Sequence, residues 1–384
     1  MIDIEILNRL NAPTKAERLA NLTEVLKTTV FPPMVPQYIN NHIHTTYSFS
    51  PYSPTAAVYA ARMEGLCTAG IIDHDSISGA EEFLEAAKLV DMPVTIGMEC
   101  RVSMEGTRLE GRRTNNPDQV GVSYMTIQSV PHDRIDALTA FFRPYREARG
   151  RRNRAMVEKI NALVPQIALD YDRDVLPLSM AAEEGGVTER HLMYALAMKL
   201  TAQVGKGEKM VQKLADLGLT LSEKQKSQML DTAYPFYEYD LLGILKSAFV
   251  PKIFIDATDE CPKLPDVVAL CKQVDAYLCY AYLGDVGDSV TGDKKAQKFE
   301  DDYLEDVFEC LKEEGVTAVT YMPTRNTPAQ LERLRGLCDS YGMFQISGED
   351  INSPRQSFVI KAMENPMFQN LIDATWKLIE HENK

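Results

Sequence analysis

The sequence predicts an α/β fold, a (β/α)7 distorted TIM-like barrel with an inserted helical domain and an N-terminal helical extension. Three observations lead to this fold class: short apolar runs end in polar residues along the chain, helix-like segments separate most of them, and one long helical stretch interrupts the series. Strands that alternate with helices imply parallel pairing. Seven such units therefore suggest a closed or nearly closed barrel.

The first element is helical, because leucine and isoleucine recur at helical spacing over residues 3–29 until Pro32 and Pro33 end the pattern. This extension is expected to cover one end of the barrel or to form a dimer contact. The predicted strands are 38–44, 67–73, 93–99, 120–128, 277–283, 317–322 and 343–347. The predicted helices between them are 54–64, 79–90, 299–314 and 328–340.

The stretch 131–260 is too long for a connection between a strand and a helix. It has helical patterns at 134–164, 181–204, 208–217 and 221–233. Gly185 and Gly186 are typical of a turn, and they lead into a helix that begins at Glu189. The predicted organisation is an N-terminal helical extension at 1–35, a barrel at 36–130 and 261–384, and a helical insertion domain at 131–260 above the barrel mouth.

Charge and composition limit the partners of this chain. Its 384 residues include 41 Lys and Arg against 55 Asp and Glu, which gives a formal net charge of −14. Such a chain repels nucleic acid and anionic membrane unless a basic patch overrides the field, so neither is expected as a partner. The best basic run is 143–154, which is either a helix surface that contacts solvent or another element, or an anion-binding patch.

The cysteines and the hydropathy pattern favour a cytoplasmic protein. The seven cysteines are irregularly spaced and form no C-x-x-C pair, which argues for reduced thiols. The chain starts with an acidic segment rather than with a signal peptide. No apolar run approaches the roughly 20 residues that span a membrane. Oligomer formation is left open.

Polar side chains at the ends of the predicted strands point to a metal site. They are His42 and His44 on the first strand, Asp73-His74-Asp75 on the second, Glu99 on the third, and Glu349-Asp350 on the last. Residues two apart on a strand face the same side, and the carboxyl ends of barrel strands carry the site. Imidazoles with carboxylates suit Zn, Mn or Fe, and such an ion activates water and polarises a phosphoryl oxygen.

These segments resemble the PHP (polymerase and histidinol phosphatase) family of metal-dependent phosphoesterases. The resemblance rests on the sequences HIHTTYS (42–48), DHDS (73–76) and GME (97–99), with weaker support from PTRNTPAQ (323–330), SGED (347–350) and GVTERHL (186–192). It implies a (β/α)7 barrel, hydrolase chemistry on a phosphoester, and a site that commonly holds two or three metals.

The chain departs from the family pattern at four positions where the family has metal ligands. Phe49 replaces an aspartate, no histidine occurs between residues 100 and 131, Tyr282 stands in place of the His of a His-Pro pair, and Asn352 replaces a final histidine. The resemblance implies that one metal position keeps all its ligands. These are His42, His44, Glu99 and Asp350, so we expect a single divalent ion in a reduced site.

Further roles are implied with alternatives. His74 and Asp75 are candidate proton carriers, and His74 could also be a metal ligand or a substrate contact. Arg325 could bind phosphate bidentately or form a structural salt bridge. Tyr282 could donate its phenol to a substrate or pack at the barrel mouth. Asp285 and Asp288 could replace missing ligands or serve turns.

Two functions remain open at this point. The first is a metal-dependent phosphoesterase that hydrolyses a small phosphorylated or anionic molecule. The second is a catalytically weakened relative that binds a ligand or a protein partner through the old cleft, which the substitution at Phe49 favours. A DNA-processing module is the weakest hypothesis, because the net charge has the wrong sign.

Overall fold

The computed structural model describes residues 2–286 and 298–383. In this part of the chain seven strands form one sheet, in the order in which they occur in the sequence. The strands are β1 Val35–Ile43, β2 Leu66–His74, β3 Val94–Ser103, β4 Val122–Gln128, β5 Tyr277–Ala281, β6 Ala318–Tyr321 and β7 Phe344–Ser347. A parallel bridge between Ile43 and Ile351 joins the two edges, so the sheet is a nearly closed barrel.

Helices connect the strands and extend the barrel. The N-terminal helices are α1 Ile4–Leu10 and α2 Lys15–Leu26, followed by α3 Pro54–Met63 and α4 Ala80–Leu89. Five more helices follow β4: α5 Ile135–Leu163, α6 Glu189–Val204, α7 Glu208–Asp216, α8 Glu223–Leu230 and α9 Tyr237–Ile253. The last are α10 Leu264–Val274, α11 Leu304–Glu314, α12 Pro328–Tyr341 and α13 Gln369–Glu382.

The expectation of parallel pairing is wrong at β4. This strand runs antiparallel to both β3 and β5, whereas the other neighbouring strands pair in parallel. Residues 104–121 join β3 to β4 without a helix. A parallel partner needs a crossover that returns the chain to the starting end of the sheet. A connection without such a crossover leaves β4 to run back along β3.

The N-terminal helices pack on the outside of the barrel. A Thr14–Glu17 capping box starts α2. The buried Arg18 guanidinium forms an ion pair with Glu82 of α4. Glu82 also accepts a hydrogen bond of 2.7 Å from the hydroxyl of Thr55 in α3. The extension is therefore fixed to α3 and α4 by a satisfied buried charge as well as by apolar contact.

Two large apolar clusters divide the described residues. One contains the barrel and the N-terminal helices. The other contains buried residues of α5 to α9, and Phe49 joins it from the loop after β1. The boundaries of the helical insertion at 131 and 260 stay a prediction. Within the described ranges, no helix has the length and apolar character that crossing a membrane requires.

Candidate metal centre

Strand β1 and the residue after it bring two imidazoles to the barrel mouth. The rings of His42 and His44 lie with their centroids 5.0 Å apart. His42 Nε2 is 4.0 Å from Glu99 Oε2, and His44 Nε2 is 3.2 Å from Asp350 Oδ1. Both Nε2 atoms are buried and have no hydrogen-bond partner among the residues that the structure describes. Buried imidazole nitrogens beside carboxylates are a donor set that fits a divalent cation.

His74 joins the same group through the pairing of β2 with β3. His74 and Glu99 are partners in the strand register. The His74 Nδ1 atom lies 2.8 Å from Glu99 Oε2. The ring of His74 also stacks on that of His44, with centroids 4.6 Å apart. The predicted ligands thus contact one another in pairs, His42 with Glu99 and His44 with Asp350, and His74 lies beside both His44 and Glu99.

A hydroxyl relay fixes the orientation of His44. The hydroxyl of Ser48 donates to Asp73 Oδ1 over 2.6 Å, and the Ser48 oxygen lies 3.2 Å from His44 Nδ1. Since the Ser48 hydrogen is already used, the network assigns the proton of His44 to Nδ1. The backbone N–H of Thr45 also donates to Asp73 Oδ1, over 2.7 Å. The lone pair on His44 Nε2 is left for a ligand.

Asp350 closes the group from the other edge of the sheet. The amide of Asn352 donates to Asp350 Oδ1 over 2.7 Å. The Asp350 side chain is 46% exposed, whereas that of His44 is 1% exposed. The site is therefore buried on the side of β1 and β3 and open to solvent beside Asp350.

The charges in the group set the protonation states. Burial lowers the pKa of His42 to about 4 and outweighs the opposing effect of Glu99. Burial alone would raise the pKa of the Glu99 carboxyl, but His74 and His42 outweigh burial and lower this pKa to about 2. At neutral pH the site therefore offers a neutral imidazole beside an ionised carboxylate, which are the forms that bind metal.

Two sets of three ligands occur in the described part of the chain. One is His42, His44 and Asp350, and the other is His44, His74 and Glu99; within each set the ligand atoms lie within 4.8 Å of one another. Both sets use His44. With its Nδ1 proton held by Ser48, His44 has one nitrogen to give to a metal.

Asp75 lies next to His74 in the sequence, but its side chain forms an ion pair with Arg149. Its backbone is left-handed, with φ of 56°, and its N–H donates to the Glu99 carbonyl over 2.7 Å. A carboxylate that is occupied by a guanidinium is poorly placed to reach the proton of a substrate. The geometry therefore favours a structural role for Asp75 over the predicted proton transfer.

Arg325 follows β6 on the other side of the mouth. Its Nε donates to the Leu283 carbonyl over 2.9 Å, and its Nη2 is buried without a hydrogen-bond partner among the described residues. Burial lowers the pKa of Arg325, although Glu300 and Glu349 oppose this effect. One face of the guanidinium is therefore held by the backbone, and another is left for a further acceptor.

The substituted positions have partners of their own. The Tyr282 hydroxyl donates to Asp301 Oδ1 over 2.6 Å, which agrees with a tyrosine packed at the barrel mouth. The ring of Phe49 packs edge-on to His191, with centroids 4.9 Å apart, so it faces the second apolar cluster. Asp285 accepts from the N–H of Phe299 over 2.6 Å, as a turn carboxylate does. Asp288 lies outside the described residues.

The basic run 143–154 contacts acidic residues of other segments. Its ion pairs are Arg143 and Arg146 with Glu184, Arg149 with Asp75 and Glu189, Arg151 with Asp259, Arg152 with Glu189 and Glu260, and Arg154 with Asp172. These contacts favour the interpretation as a contact surface over that of an anion-binding patch. These arginines therefore have acidic partners, which the sequence alone does not identify.

Three residues near the site gained roles only from the structure. Ser48 and Asp73 orient His44, and the ring of Tyr124 on β4 lies 6.2 Å from that of His74. A signal for the first two was present, since a serine four residues after a ligand histidine can return to it across a tight turn. Tyr124 carried no such signal, because its place beside His74 depends on the antiparallel register of β4.

Parts of the chain are similar to a known domain family and to two kinds of enzyme. The sequence model of the PHP domain matches residues 40–220. The error-prone DNA polymerase of Mycobacterium tuberculosis (strain ATCC 25618 / H37Rv) is 33% identical over 96 residues, which is 24% of this chain and 8% of the polymerase. A 5'-3' exoribonuclease of Haemophilus influenzae is 37% identical over 65 residues, or 17% of this chain and 24% of that enzyme.

Comparison with solved structures supports the fold over most of the chain. A presumed metal-dependent phosphoesterase from Bifidobacterium adolescentis covers 89% of this chain and 98% of its own, with a TM-score of 0.55 and 19% identity. An amidohydrolase from Chromobacterium violaceum, with bound sulfate and no metal, covers 88% and 96%, with a TM-score of 0.54 and 16% identity. At these identities the likeness concerns the fold. The matched sequence and the distorted barrel confirm the resemblance found in the sequence, and residues 40–220 match the PHP domain.

Proposed function

We propose that this chain is a metal-dependent phosphoesterase that hydrolyses a small phosphorylated or anionic molecule. The observation that carries the proposal is the group of His42, His44, Glu99 and Asp350, in which one imidazole is already oriented for a ligand by Ser48. A divalent ion held there, which we take to be Zn, Mn or Fe, would activate water and polarise a phosphoryl oxygen. The family match and the fold support a metal-dependent hydrolase.

A single ion per chain is the stoichiometry that we propose. His44 belongs to both sets of candidate ligands but has one nitrogen free of Ser48. Filling both sets at once would require that nitrogen twice. His74, which is 2.8 Å from Glu99, would then hold the carboxylate in place or exchange a proton with the substrate.

Arg325 is the residue that we assign to the substrate's negative charge. Its Nη2 atom has no hydrogen-bond partner in the residues that the structure describes, and its Nε is fixed on Leu283. A site with one ion needs a second group for the charge that develops on phosphoryl oxygens. A fixed guanidinium can supply it. The acidic protein as a whole favours a small substrate over a nucleic acid.

A second function is favoured by the fate of the substituted positions. The Tyr282 hydroxyl is held by Asp301, and Asn352 binds Asp350 rather than projecting as a free ligand. A PHP barrel that has lost ligands in this way could bind a phosphorylated ligand or a protein without hydrolysing it. The insertion that we propose at 131–260 would then be the interaction surface.

Two measurements separate these functions. Metal content is measured after purification without chelator, and hydrolysis of a chromogenic phosphomonoester is measured with Mn, Zn, Fe or Mg added. The phosphoesterase proposal expects about one ion per chain and activity that is lost in His44→Ala. Ion binding without hydrolysis under any of the four metals would favour the binding module, and two or more equivalents per chain would overturn the single-ion site.

A further inference from the structure

The segment Glu183–Glu189, which we call the clasp, lies against the loops that carry the site histidines. The Tyr47 hydroxyl donates to Glu183 Oε2 over 2.8 Å. The N–H of Gly186 donates to the carbonyl of Tyr47 over 2.7 Å. The Ser76 hydroxyl donates to the carbonyl of Glu184 over 2.7 Å. The clasp therefore bonds to the chain on both sides of the site, after β1 and after β2.

Gly186 is in direct contact with the backbone of His74. A Cβ atom added at Gly186 would lie 2.4 Å from the carbonyl oxygen of His74. Real Cβ atoms essentially never lie within 3.0 Å of such an atom, so one of the two backbones would have to shift. The two backbones could not keep their present separation with any larger residue at this position.

The clasp is itself held rigidly by α5. The amide of Asn153 donates to the carbonyl of Val187 over 2.8 Å. Arg149 pairs with Glu189 over 2.7 Å and also with Asp75. Arg146 donates to the carbonyl of Asp75 over 3.0 Å. One helix thus bonds both to the clasp and to the residue after His74, and these bonds oppose a shift that would relieve strain at Gly186.

We propose that the clasp positions His74 through the backbone contact of Gly186, and that this residue is glycine because the His74 backbone must approach it. This inference rests on the proposed function, in which His74 supports Glu99 at the metal centre. The reasoning is geometric: the His74 Nδ1 to Glu99 Oε2 contact of 2.8 Å depends on where the His74 backbone lies. Sites of this kind need their groups held to within about 0.5 Å.

The neighbouring glycine supplies a matched control. A Cβ atom at Gly185 would lie 2.8 Å from Met180 Cβ and 2.8 Å from the Met180 carbonyl oxygen. Gly185 is thus crowded as Gly186 is, but its strain falls on residues that precede the clasp. Gly185→Ala and Gly186→Ala should both lower thermal stability, and only the second should disturb the site.

The test compares these two variants with the unmodified full chain. Affinity for Mn²⁺ is measured by calorimetry, and the imidazole signals of the six histidines are measured by NMR in the metal-free protein. We expect Gly186→Ala to weaken Mn²⁺ binding on the order of 10-fold or more, as changes in outer-shell partners do, and to shift the His74 signal. Gly185→Ala should change the affinity less than about 3-fold, well below that outer-shell effect, and leave the His74 signal in place.

The outcomes separate this inference from the proposed function. If the unmodified chain binds no divalent metal, the proposed function fails, and the NMR comparison still decides the positioning role. If Gly186→Ala folds and leaves both the affinity and the His74 signal as they were, the positioning role is wrong. Equal disturbance by both variants would also contradict it, since general strain would then explain the effect. Should Gly186→Ala fail to fold, Tyr47→Phe, which removes the bond to Glu183, replaces it and is judged in the same way.

Discussion

The two sides of the barrel mouth have different polar groups. On the side of β1 to β3 lie His42, His44, His74 and Glu99, in contact with one another. On the side of β5 to β7, Tyr282 bonds to Asp301, whereas Arg325 and Glu300 both bond to the backbone of Leu283. The PHP match at residues 40–220 includes the first side, and the second follows it in the sequence.

This difference teaches that one side of a barrel mouth can gather side chains of the kind that bind metal while the other side holds the surrounding loops. On the histidine side, the Nε2 atoms of His42 and His44 have no hydrogen-bond partner among the described residues, and Ser48 and Asp73 hold His44 from behind. On the opposite side, Glu300, Arg325 and Asn326 form hydrogen bonds with the backbone of Leu283. Among the described residues beside this loop, Arg325 retains a buried nitrogen without a hydrogen-bond partner, and Glu300 and Asn326 each retain such an oxygen.

Removing a ligand on the histidine side should have the largest effect. In His44→Ala, we expect the affinity for Mn²⁺ or Zn²⁺ to fall by more than about 100-fold, beyond the range that outer-shell changes produce. Calorimetry of the metal-free protein measures this. The control is Tyr282→Phe on the opposite side, which removes the bond to Asp301 and should leave the affinity unchanged. Equal losses in both variants would erase the contrast between the two sides.

The relay behind His44 should have the next largest effect. Ser48→Ala removes the acceptor of His44 Nδ1–H, so the ring loses its orientation and its tautomer. We expect metal affinity to fall about 10- to 100-fold with little change in fold. Ser50→Ala is the matched control, because the Ser50 oxygen accepts from Tyr52 and contacts no site residue in the described network. An unchanged affinity in Ser48→Ala would show that Ser48 is not needed to orient His44 for metal binding.

Arg325 tests whether the β5 to β7 side still meets the substrate. In Arg325→Met, we expect kcat/KM for a phosphomonoester to fall about 10-fold, which corresponds to about 1.4 kcal/mol, with metal affinity preserved. Steady-state kinetics beside calorimetry separates the two effects. Arg108→Ala serves as the control, since Arg108 pairs with Glu309 and Glu313 on the surface. A loss of metal affinity in Arg325→Met would mean that the residue acts through the fold.

Glu300 should give the smallest effect, visible in stability against pH. Burial raises the pKa of Glu300 to about 7 from 4.5, although the N–H groups of Leu283 and Gly284 oppose it. The folded state then binds more protons than the unfolded state between pH 4.5 and 7, so stability falls as pH rises through this window and levels off above it. We expect a fall on the order of 2–3 kcal/mol.

The matched variant for this prediction is Glu300→Gln, which keeps an acceptor for Leu283 N–H and cannot ionise. Urea unfolding of both proteins at pH 5 and pH 8 measures the difference. The variant should lack most of the pH-dependent loss. A parallel pH dependence in the two proteins would show that another group is responsible. Glu99, whose pKa is lowered on the other side of the mouth, behaves with the opposite sign.

The sequence predicts the barrel because each strand is a separate apolar run with polar residues at its end. It does not predict the direction of β4, since strand polarity depends on the connection and an apolar run reads the same either way. It also misses α9, whose first residues are aromatic and whose surface is apolar on most sides, so that no helical period stands out.

In the candidate site too, some residues are placed by local sequence and others by contacts between distant segments. Spacing alone brings His42 and His44 together, and the register of neighbouring strands adds Glu99. Asp350 and Arg325 depend on contacts between segments distant in sequence, which the resemblance can suggest and only the fold can place. The pairing of Asp75 with Arg149 lies beyond both, because it joins the barrel to a helix of the second apolar cluster.

The bridge between Ile43 and Ile351 has a consequence for folding. His44 and Asp350 follow the first and last strands, so the seam between these strands has the largest sequence separation in the ring. Such pairings form late because loop closure costs entropy. An ion bound by both His44 and Asp350 would stabilise only molecules in which the first and last strands are paired. At 100 times its Kd, it would stabilise the closed form by about 2.7 kcal/mol. Bound metal would then lower the population of molecules in which this seam is open.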